Sequence, residues 1–202
     1  LVEDVAGVNA MGIAGELDMQ ARAINLADYP VYMQNAEANG YHMLLWPQAM
    51  ASNGTLFINQ SYPDPQYREL FQNFDFRRAL SLAIDRDAVN EIAFLGQGVP
   101  RTQTVVPSSP CYQPELESLN AEYDPATAEA LLDGIGLTKG SDGFRTFPDG
   151  SELLIVIETS GTGAGELDTY ELVTEWWNAI GVKTELRQET REVFWERAGA
   201  NE

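Results

Sequence analysis

The sequence predicts an α/β fold in which a mixed sheet is flanked by helices. Short apolar runs with strand character alternate along the 202 residues with segments whose apolar side chains recur at helical spacing. Apolar residues make up 44% of the chain and aromatic residues 10%, which is enough for an ordinary buried core. The longest apolar runs, such as residues 153–157, are far shorter than the roughly 20 residues that a membrane helix needs.

The first quarter of the chain carries weakly periodic segments that end at turn-forming residues. A helix is predicted at residues 27–39, and strands are predicted at residues 41–46 and 55–59. Small and turn-forming residues at positions 48–54 separate the two strands and are typical of a linker. We therefore predict a domain boundary near residue 54.

Two amphipathic helices follow. Asp75 is the predicted N-cap of the first, whose apolar side chains from Phe76 to Ile84 share one face. Asp85 and Asp87 offer a fresh cap for the second helix, which is expected to stop at Gly96. Two short helices are therefore predicted in place of one long helix.

The segment from Gln97 to Tyr123 is predicted to be a long loop with several prolines. At about 27 residues it exceeds the usual connection in a compact domain, and loops of this length are usually functional or packed on another surface. A helix then begins at Asp124 and Pro125, which fit the N-cap and the first helical position, and it ends at Gly136.

The last third of the chain is predicted to hold a hairpin, a helix and a further strand. The hairpin covers residues 144–157 and turns at residues 148–150. A helix at residues 166–180 presents one apolar side, and residues 182–186 alternate as a strand. The last residues of the sequence, 194–202, are typical of a helix and its following turn.

The charge of the chain limits its partners. There are 31 Asp and Glu residues against 12 Lys and Arg, a formal net charge of −19. A field of this sign repels phosphate backbones and anionic membranes, so nucleic acid is not an expected partner. The single cysteine, Cys111, and the single histidine, His42, exclude an intramolecular disulfide and a cysteine-based or histidine-rich metal site. We predict no metal and no cofactor.

Residues 153–166 are partly similar to a dinucleotide-binding fingerprint, with a strand, a glycine-rich loop and a helix. Gly161 and Gly163 supply the first two glycines, but the third position falls on Glu166, whose carboxylate would face the phosphate. The preceding strand is also predicted to be the second arm of a hairpin, not the first strand of a βαβ unit. A nucleotide-dependent enzyme that uses the loop at residues 161–165 is the alternative function. The other interpretations are a turn before a helix and a binding loop for another ligand.

The order of several motifs identifies a family. Residues 74–86 (FDFRRALSLAIDR) followed by residues 96–100 (GQGVP) resemble the second lobe of the peptide/nickel family (family 5) of solute-binding proteins that serve ABC transporters. Further motifs continue in register at residues 123–125, 143–145 and 180–182. The resemblance implies a type II periplasmic-binding-protein-like lobe. It also implies a piece of a longer protein, with the tail of the first lobe and the crossover at residues 1–54 and a C-terminally truncated second lobe at residues 55–202.

The resemblance also implies a function without catalysis. Such proteins are exported to the periplasm or the cell surface, capture an oligopeptide, a dipeptide or a related solute between two lobes, and deliver it to membrane permease subunits. The residues that would border the cleft are Asn59 in the crossover, Ser109 and Tyr112 in the long loop, and Ser160, Gly161 and Thr162 after the predicted strand. Peptide binders of the family often hold the ligand carboxylate with an arginine in this last loop, and this chain has none there, so a different ligand class is an open alternative.

Overall fold

A computed structural model of the chain describes residues 5–22, 24–46, 52–161, 163 and 165–201. The helices are α1 (Val5–Ile13), α2 (Tyr29–Asn39), α3 (Pro65–Gln72), α4 (Phe74–Leu82), α5 (Arg86–Phe94), α6 (Pro125–Gly134), α7 (Glu166–Ala179) and α8 (Arg191–Ala200). The strands are β1 (Thr138–Lys139), β2 (Arg145–Thr146), β3 (Ile155–Thr159) and β4 (Thr184–Gln188). Short 3₁₀ helices span Leu26–Asp28 and Pro114–Leu116. No helix in these ranges has the length and apolar character to cross a membrane.

The strands of the described residues form two small sheets. β1 and β2 pair antiparallel, whereas β3 and β4 pair parallel, with Ile155 beside Thr184 and Thr159 beside Gln188. Parallel neighbouring strands need a crossover connection. Here α7 provides it, since it lies between β3 and β4 in the chain, and the three elements form a βαβ unit. The α/β class is confirmed, and the sheet is smaller than predicted.

Two predicted strands do not form within the described part of the chain. Residues 41–46 and 55–59 take part in no β-ladder there. An alternating apolar pattern indicates a segment that fits a pleated surface, and the strand itself depends on a neighbour that supplies hydrogen bonds. The alternation still governs burial: Leu56 and Ile58 pack against the core, while Phe57 between them is 86% exposed.

The predicted hairpin forms only around its turn. Thr146 and Glu152 make an isolated antiparallel bridge, but β3 beyond it pairs with β4 in parallel. The expectation that β3 is the second arm of a hairpin is therefore wrong. Its side chains at Ile155 and Ile157 are buried in the core that α7 covers, and helix cover of this kind is typical of parallel strands.

Helix starts follow the sequence closely, with one exception. Asp85 caps α5 and Asp124 caps α6, and each carboxylate accepts the backbone N–H three residues later. The predicted cap at Asp75 is wrong, because Asn73 caps α4 and its amide oxygen accepts the N–H groups of Asp75 and Phe76. Asp75 lies in the first turn, where a carboxylate still suits the positive end of the helix.

The core lies among α4, α6, α7 and β3. Its fully buried members include Phe76, Leu132, Leu153 and Val173. The indole of Trp177 is also buried, and its Nε1 donates to the Leu80 carbonyl oxygen at 3.0 Å. This bond fixes α7 to α4, two of the helices that bound the groove described below.

A buried arginine joins the ends of two helices. Arg145 on β2 is 1% exposed, and its Nε donates to the Ile180 carbonyl at 2.9 Å, directly after α7. Its Nη1 donates to the Leu137 carbonyl at 2.6 Å, shortly after α6, and also pairs with Asp133. Because the carbonyl end of a helix carries partial negative charge, the guanidinium group stabilises both helix ends at once.

The second face of β3 is held by α8. Glu158 alternates with Ile157 along the strand and points to the opposite face. It accepts from Arg187 of β4 at 3.0 Å and from Arg197 of α8 at 2.9 Å. One carboxylate therefore binds two guanidinium groups and fixes α8 beside the sheet.

Candidate functional site

A groove of about 650 Å³ opens between α4 and α7. Its remaining walls are α5, the segment at residues 52–58 and the first part of the long loop, residues 98–107. Apolar side chains line much of it, among them Leu56, Ile58 and Trp177. A concave site with an apolar lining and a few polar groups is the usual form of a small-molecule site in a protein.

The charged residues of the groove are mostly basic. Arg77, Arg86 and Arg101 line it together with a single carboxylate, Glu117. This local balance is opposite in sign to the net charge of −19 of the whole chain. Because a cleft with low-dielectric walls focuses the field of its charges, the groove favours an anionic group over a cationic one.

Tyr112 connects the long loop to one of these arginines. The carboxylate of Glu117 pairs with Arg101 at 2.5 Å, and a hydrogen bond from Tyr112 to the same carboxylate lowers the pKa of Glu117, as does Arg101. The same hydrogen bond raises the pKa of Tyr112. The predicted site residue Tyr112 therefore lies one contact away from the groove, although it does not line it.

The glycine-rich loop contacts a wall of the groove at Gly165. A Cβ on Gly165, whose φ is +67°, would lie 2.7 Å from the carbonyl oxygen of Ala93 and 3.0 Å from the ring of Phe94, which lines the groove. Glycine is required here by both the left-handed backbone and the close approach to α5. This contact explains why residue 165 is a glycine, and the explanation requires no bound nucleotide.

The carboxylate of Glu166 occupies the position where a phosphate would bind the loop. Its Oε2 accepts the backbone N–H of Gly163 at 2.7 Å, and its Oε1 accepts the hydroxyl of Thr159. In phosphate-binding loops the backbone N–H groups are left for the ligand, and here a fixed negative charge takes one of them. The βαβ setting is real, but the nucleotide hypothesis is not supported.

The other predicted site residues lie outside the groove. Asn59 uses its side chain to bind Asn201 at 3.0 Å and to accept from Ser61 at 3.1 Å. The hydroxyl of Ser109 accepts the N–H of Cys111 in a turn of the long loop. Their roles at a cleft stay predictions.

The predicted residues of the loop after β3 are only partly described. The Gly161 N–H donates to the Thr159 hydroxyl at 3.0 Å, and Ser160 precedes it at the end of the strand. Thr162 lies outside the described residues. The groove does not include Ser160 or Gly161, so their assignment to a ligand site also stays a prediction.

Sequence reasoning missed the residues that do line the groove. Arg77 stands beside Arg78 within one helix, and no feature of the sequence separates the two. Helical spacing was the available signal, since Arg77 and Leu80 are three residues apart on one face of α4 and both line the groove.

Tyr170 ties the segment at residues 52–58 to α7. Its hydroxyl donates to the Thr55 carbonyl at 3.1 Å, and its ring is buried. Burial, reinforced by the Glu166 carboxylate, raises the pKa of Tyr170 to about 12. The wall of the groove therefore depends on a neutral tyrosine.

The folded protein keeps the proton of Tyr170 to a higher pH than the unfolded chain does. We expect the resulting contribution to the free energy of unfolding to be complete below pH 10 and to be lost as the pH rises towards about 12. An unfolded tyrosine ionises near pH 10.0, whereas the folded one keeps its proton to about pH 12, so alkaline pH favours the unfolded state. Urea unfolding of the wild type and of Tyr170→Phe at intervals above pH 9 measures this. The stability advantage of the wild type should shrink above pH 10, and a constant difference would contradict the raised pKa.

Solved structures with similar folds define the class of protein. The oligopeptide-binding protein OppA has a TM-score of 0.74 and 36% identity, covering 99% of this chain and 32% of its own. The periplasmic binding protein MelB from Agrobacterium fabrum C58, solved in complex with stachyose, has a TM-score of 0.76 and 19% identity, covering 97% of this chain and 31% of its own. The second likeness shows the fold alone. The fold is that of a type II periplasmic-binding-protein lobe.

The chain belongs to the bacterial extracellular solute-binding proteins, family 5. The sequence model of the protein family described as "Bacterial extracellular solute-binding proteins, family 5 Middle" matches residues 2–202, which confirms the predicted family. A "Probable ABC transporter-binding protein" of Deinococcus radiodurans is 27% identical over 188 residues, 91% of this chain and 31% of that protein. The chain therefore spans about a third of the length of these relatives.

Proposed function

We propose that the full-length protein is the solute-binding component of an ABC import system. It captures its solute reversibly and without catalysis. The observation that carries this proposal is the family match over residues 2–202. The partly apolar groove of about 650 Å³ supports it, since a site of this size suits a small solute.

The solute in this proposal is an oligopeptide or a dipeptide. The 36% identity to the oligopeptide-binding protein OppA supports that class. The partners are the permease subunits of the transporter, and the location is the periplasm or the cell surface. The description of the family as extracellular supports this location.

We also propose the division of the chain at residue 54. Residues 1–54 form the tail of one lobe with the crossover, and residues 55–202 belong to the second lobe. Support comes from Gly54, whose φ is +78° and whose Cβ position lies 3.2 Å from a methyl group of Thr169 on α7. The chain therefore turns at this glycine next to α7.

Thermal shift and calorimetry on the intact parent protein test the proposal. The panel holds peptides, opines, sugars and metal chelates, with NAD and ATP as the controls for the alternative enzyme. We expect at least one peptide to saturate the protein and to stabilise it by about 2.7 kcal/mol at a hundredfold excess over Kd. Binding of none of the solutes would contradict the proposal, and saturation by a nucleotide alone would favour the alternative.

A further inference from the structure

The dipeptide Asn-Gly occurs twice in the sequence, at residues 39–40 and 53–54. Asn39 and Asn53 are both exposed, but the two sites differ in their hydrogen bonds. The difference matters for a reaction that this dipeptide undergoes without an enzyme, in which the backbone nitrogen after an asparagine attacks the side-chain amide. A glycine at the second position leaves this nitrogen unhindered, because glycine has no Cβ.

Both reacting groups at residues 39–40 are held by the fold. Asn39 is the last residue of α2, and its Nδ2 donates to the Ile13 carbonyl oxygen at 2.7 Å. The backbone N–H of Gly40 donates to the Ala36 carbonyl oxygen at the end of the helix. The Gly40 nitrogen can attack only after this end of the helix has opened, so the helix protects Asn39.

The reacting groups at residues 53–54 are not held in this way. The side chain of Asn53 makes no hydrogen bond within the described part of the chain, where its backbone carbonyl accepts the Ser52 hydroxyl at 3.5 Å. The backbone N–H of Gly54 makes no hydrogen bond to a described residue either. The chain bends here, and the φ of Gly54 is +78°. No hydrogen bond of these two groups has to break before the nitrogen reaches the amide carbon.

We propose that Asn53 is a site of spontaneous deamidation in the parent protein. The Gly54 nitrogen forms a bond to Cγ of Asn53 and loses its proton, while the bond from Cγ to Nδ2 breaks and ammonia leaves. The product is a succinimide ring that joins the two residues. Water then opens the ring at either of its carbonyl carbons, which gives aspartate or isoaspartate at position 53.

The reaction changes a wall of the groove, because Asn53 lines it. Both products carry a carboxylate in place of a neutral amide, so the positive field of the groove becomes weaker. Isoaspartate also carries the main chain through its side chain, which lengthens the backbone. The Thr55 carbonyl, which accepts the Tyr170 hydroxyl at 3.1 Å, follows directly after Gly54. The altered backbone therefore lies beside the contact that ties this wall to α7.

Peptide mapping of the intact parent protein by mass spectrometry tests the proposal. The wild type is incubated in mildly alkaline buffer, and the loss of the amide from each Asn-Gly peptide is followed with time. We expect Asn53 to deamidate at least about tenfold faster than Asn39, because Asn39 reacts only from a locally opened helix. Isoaspartate should appear at position 53 together with aspartate, since the ring can open on both sides.

The same incubation in a denaturing concentration of urea is the control for the role of the fold. Both asparagines precede a glycine, so the unfolded chain should lose the two amides at similar rates. Asn53→Gln is the matched variant, because its longer side chain keeps the amide but would have to close a larger ring, which forms far more slowly. In this variant the reaction at position 53 should disappear, and that at Asn39 should stay as in the wild type.

Three results would overturn the proposal. The first is a folded parent protein in which Asn53 reacts no faster than Asn39. The second is a difference between the two sites that persists in urea, since the fold would then not be its cause. The third is aspartate without isoaspartate at position 53, which would exclude the succinimide. The proposed solute binding does not depend on any of these results.

Discussion

Replacing Arg145 with methionine is expected to lower the free energy of unfolding by about 2–6 kcal/mol, from about 1–3 kcal/mol for each of two buried carbonyl groups that lose their donor. The change removes the donor to the Ile180 and Leu137 carbonyls, which lie at the ends of α7 and α6. Carbonyl groups left buried without a donor retain their full desolvation cost. Methionine fills much of the volume of the arginine stem, so the effect reports lost polar contacts more than a cavity. Urea unfolding monitored by tryptophan fluorescence measures it.

Arg187→Met is the control for this experiment. The side chain of Arg187 is 43% exposed, and its partner Glu158 keeps a second ion pair with Arg197. Exposed pairs of this kind contribute about 0–1 kcal/mol, so the variant should unfold close to the wild type. A similar loss in both variants would contradict the assignment of the effect to the buried carbonyl contacts of Arg145.

Gly165→Ala is expected to lower the free energy of unfolding by roughly 2–5 kcal/mol. The left-handed backbone costs a non-glycine residue about 1–2 kcal/mol, and forcing a methyl group into a filled space costs about 1–3 kcal/mol. The obstacle is the backbone oxygen of Ala93 at 2.7 Å, which cannot rotate away. The same variant should alter solute affinity in the parent protein, because Phe94 lines the groove and lies against this glycine.

Gly163→Ala is the matched control two residues earlier. Its added methyl group meets Oε2 of Glu166 at 2.6 Å, the far end of a flexible side chain that can move. We expect a loss below about 1 kcal/mol, within the usual range for a tolerated substitution. If Gly163→Ala proved as costly as Gly165→Ala, the contact with α5 would not be the reason for the glycine.

The sequence predicted the helices better than the sheet. Helix starts are local, since Asp85 and Asp124 cap the helices that they precede and Gly40 ends α2 with a φ of +72°. The exception, Asn73 in place of Asp75, moves the cap by two residues within the same turn. Strands depend on hydrogen-bonding partners that lie far away in the chain. Residues 55–59 have the alternating burial of a strand but pair with no neighbouring strand among the described residues. The parallel pairing of β3 with β4 was mistaken for a hairpin because a local turn precedes it.

The candidate site was the part least accessible to sequence reasoning. Its groove combines α4, α5, α7 and loop residues that are far apart in the chain, so the folded structure decides which side chains line it. Tyr112 was predicted on the long loop, but its link to Arg101 through Glu117 depends on side-chain geometry. The family resemblance gave the class of function, and the charge of the groove came from the structure.

The contact between Asn59 and Asn201 has a consequence for the order of folding. The two amides are 142 residues apart in the chain, and Asn201 also donates to the Ser61 carbonyl at 2.8 Å. Closing a loop of that length costs about 2 kcal/mol more chain entropy than closing one of ten residues. The helices and the βαβ unit have far shorter closures, so the segment at residues 59–61 should dock on the end of α8 after they have formed.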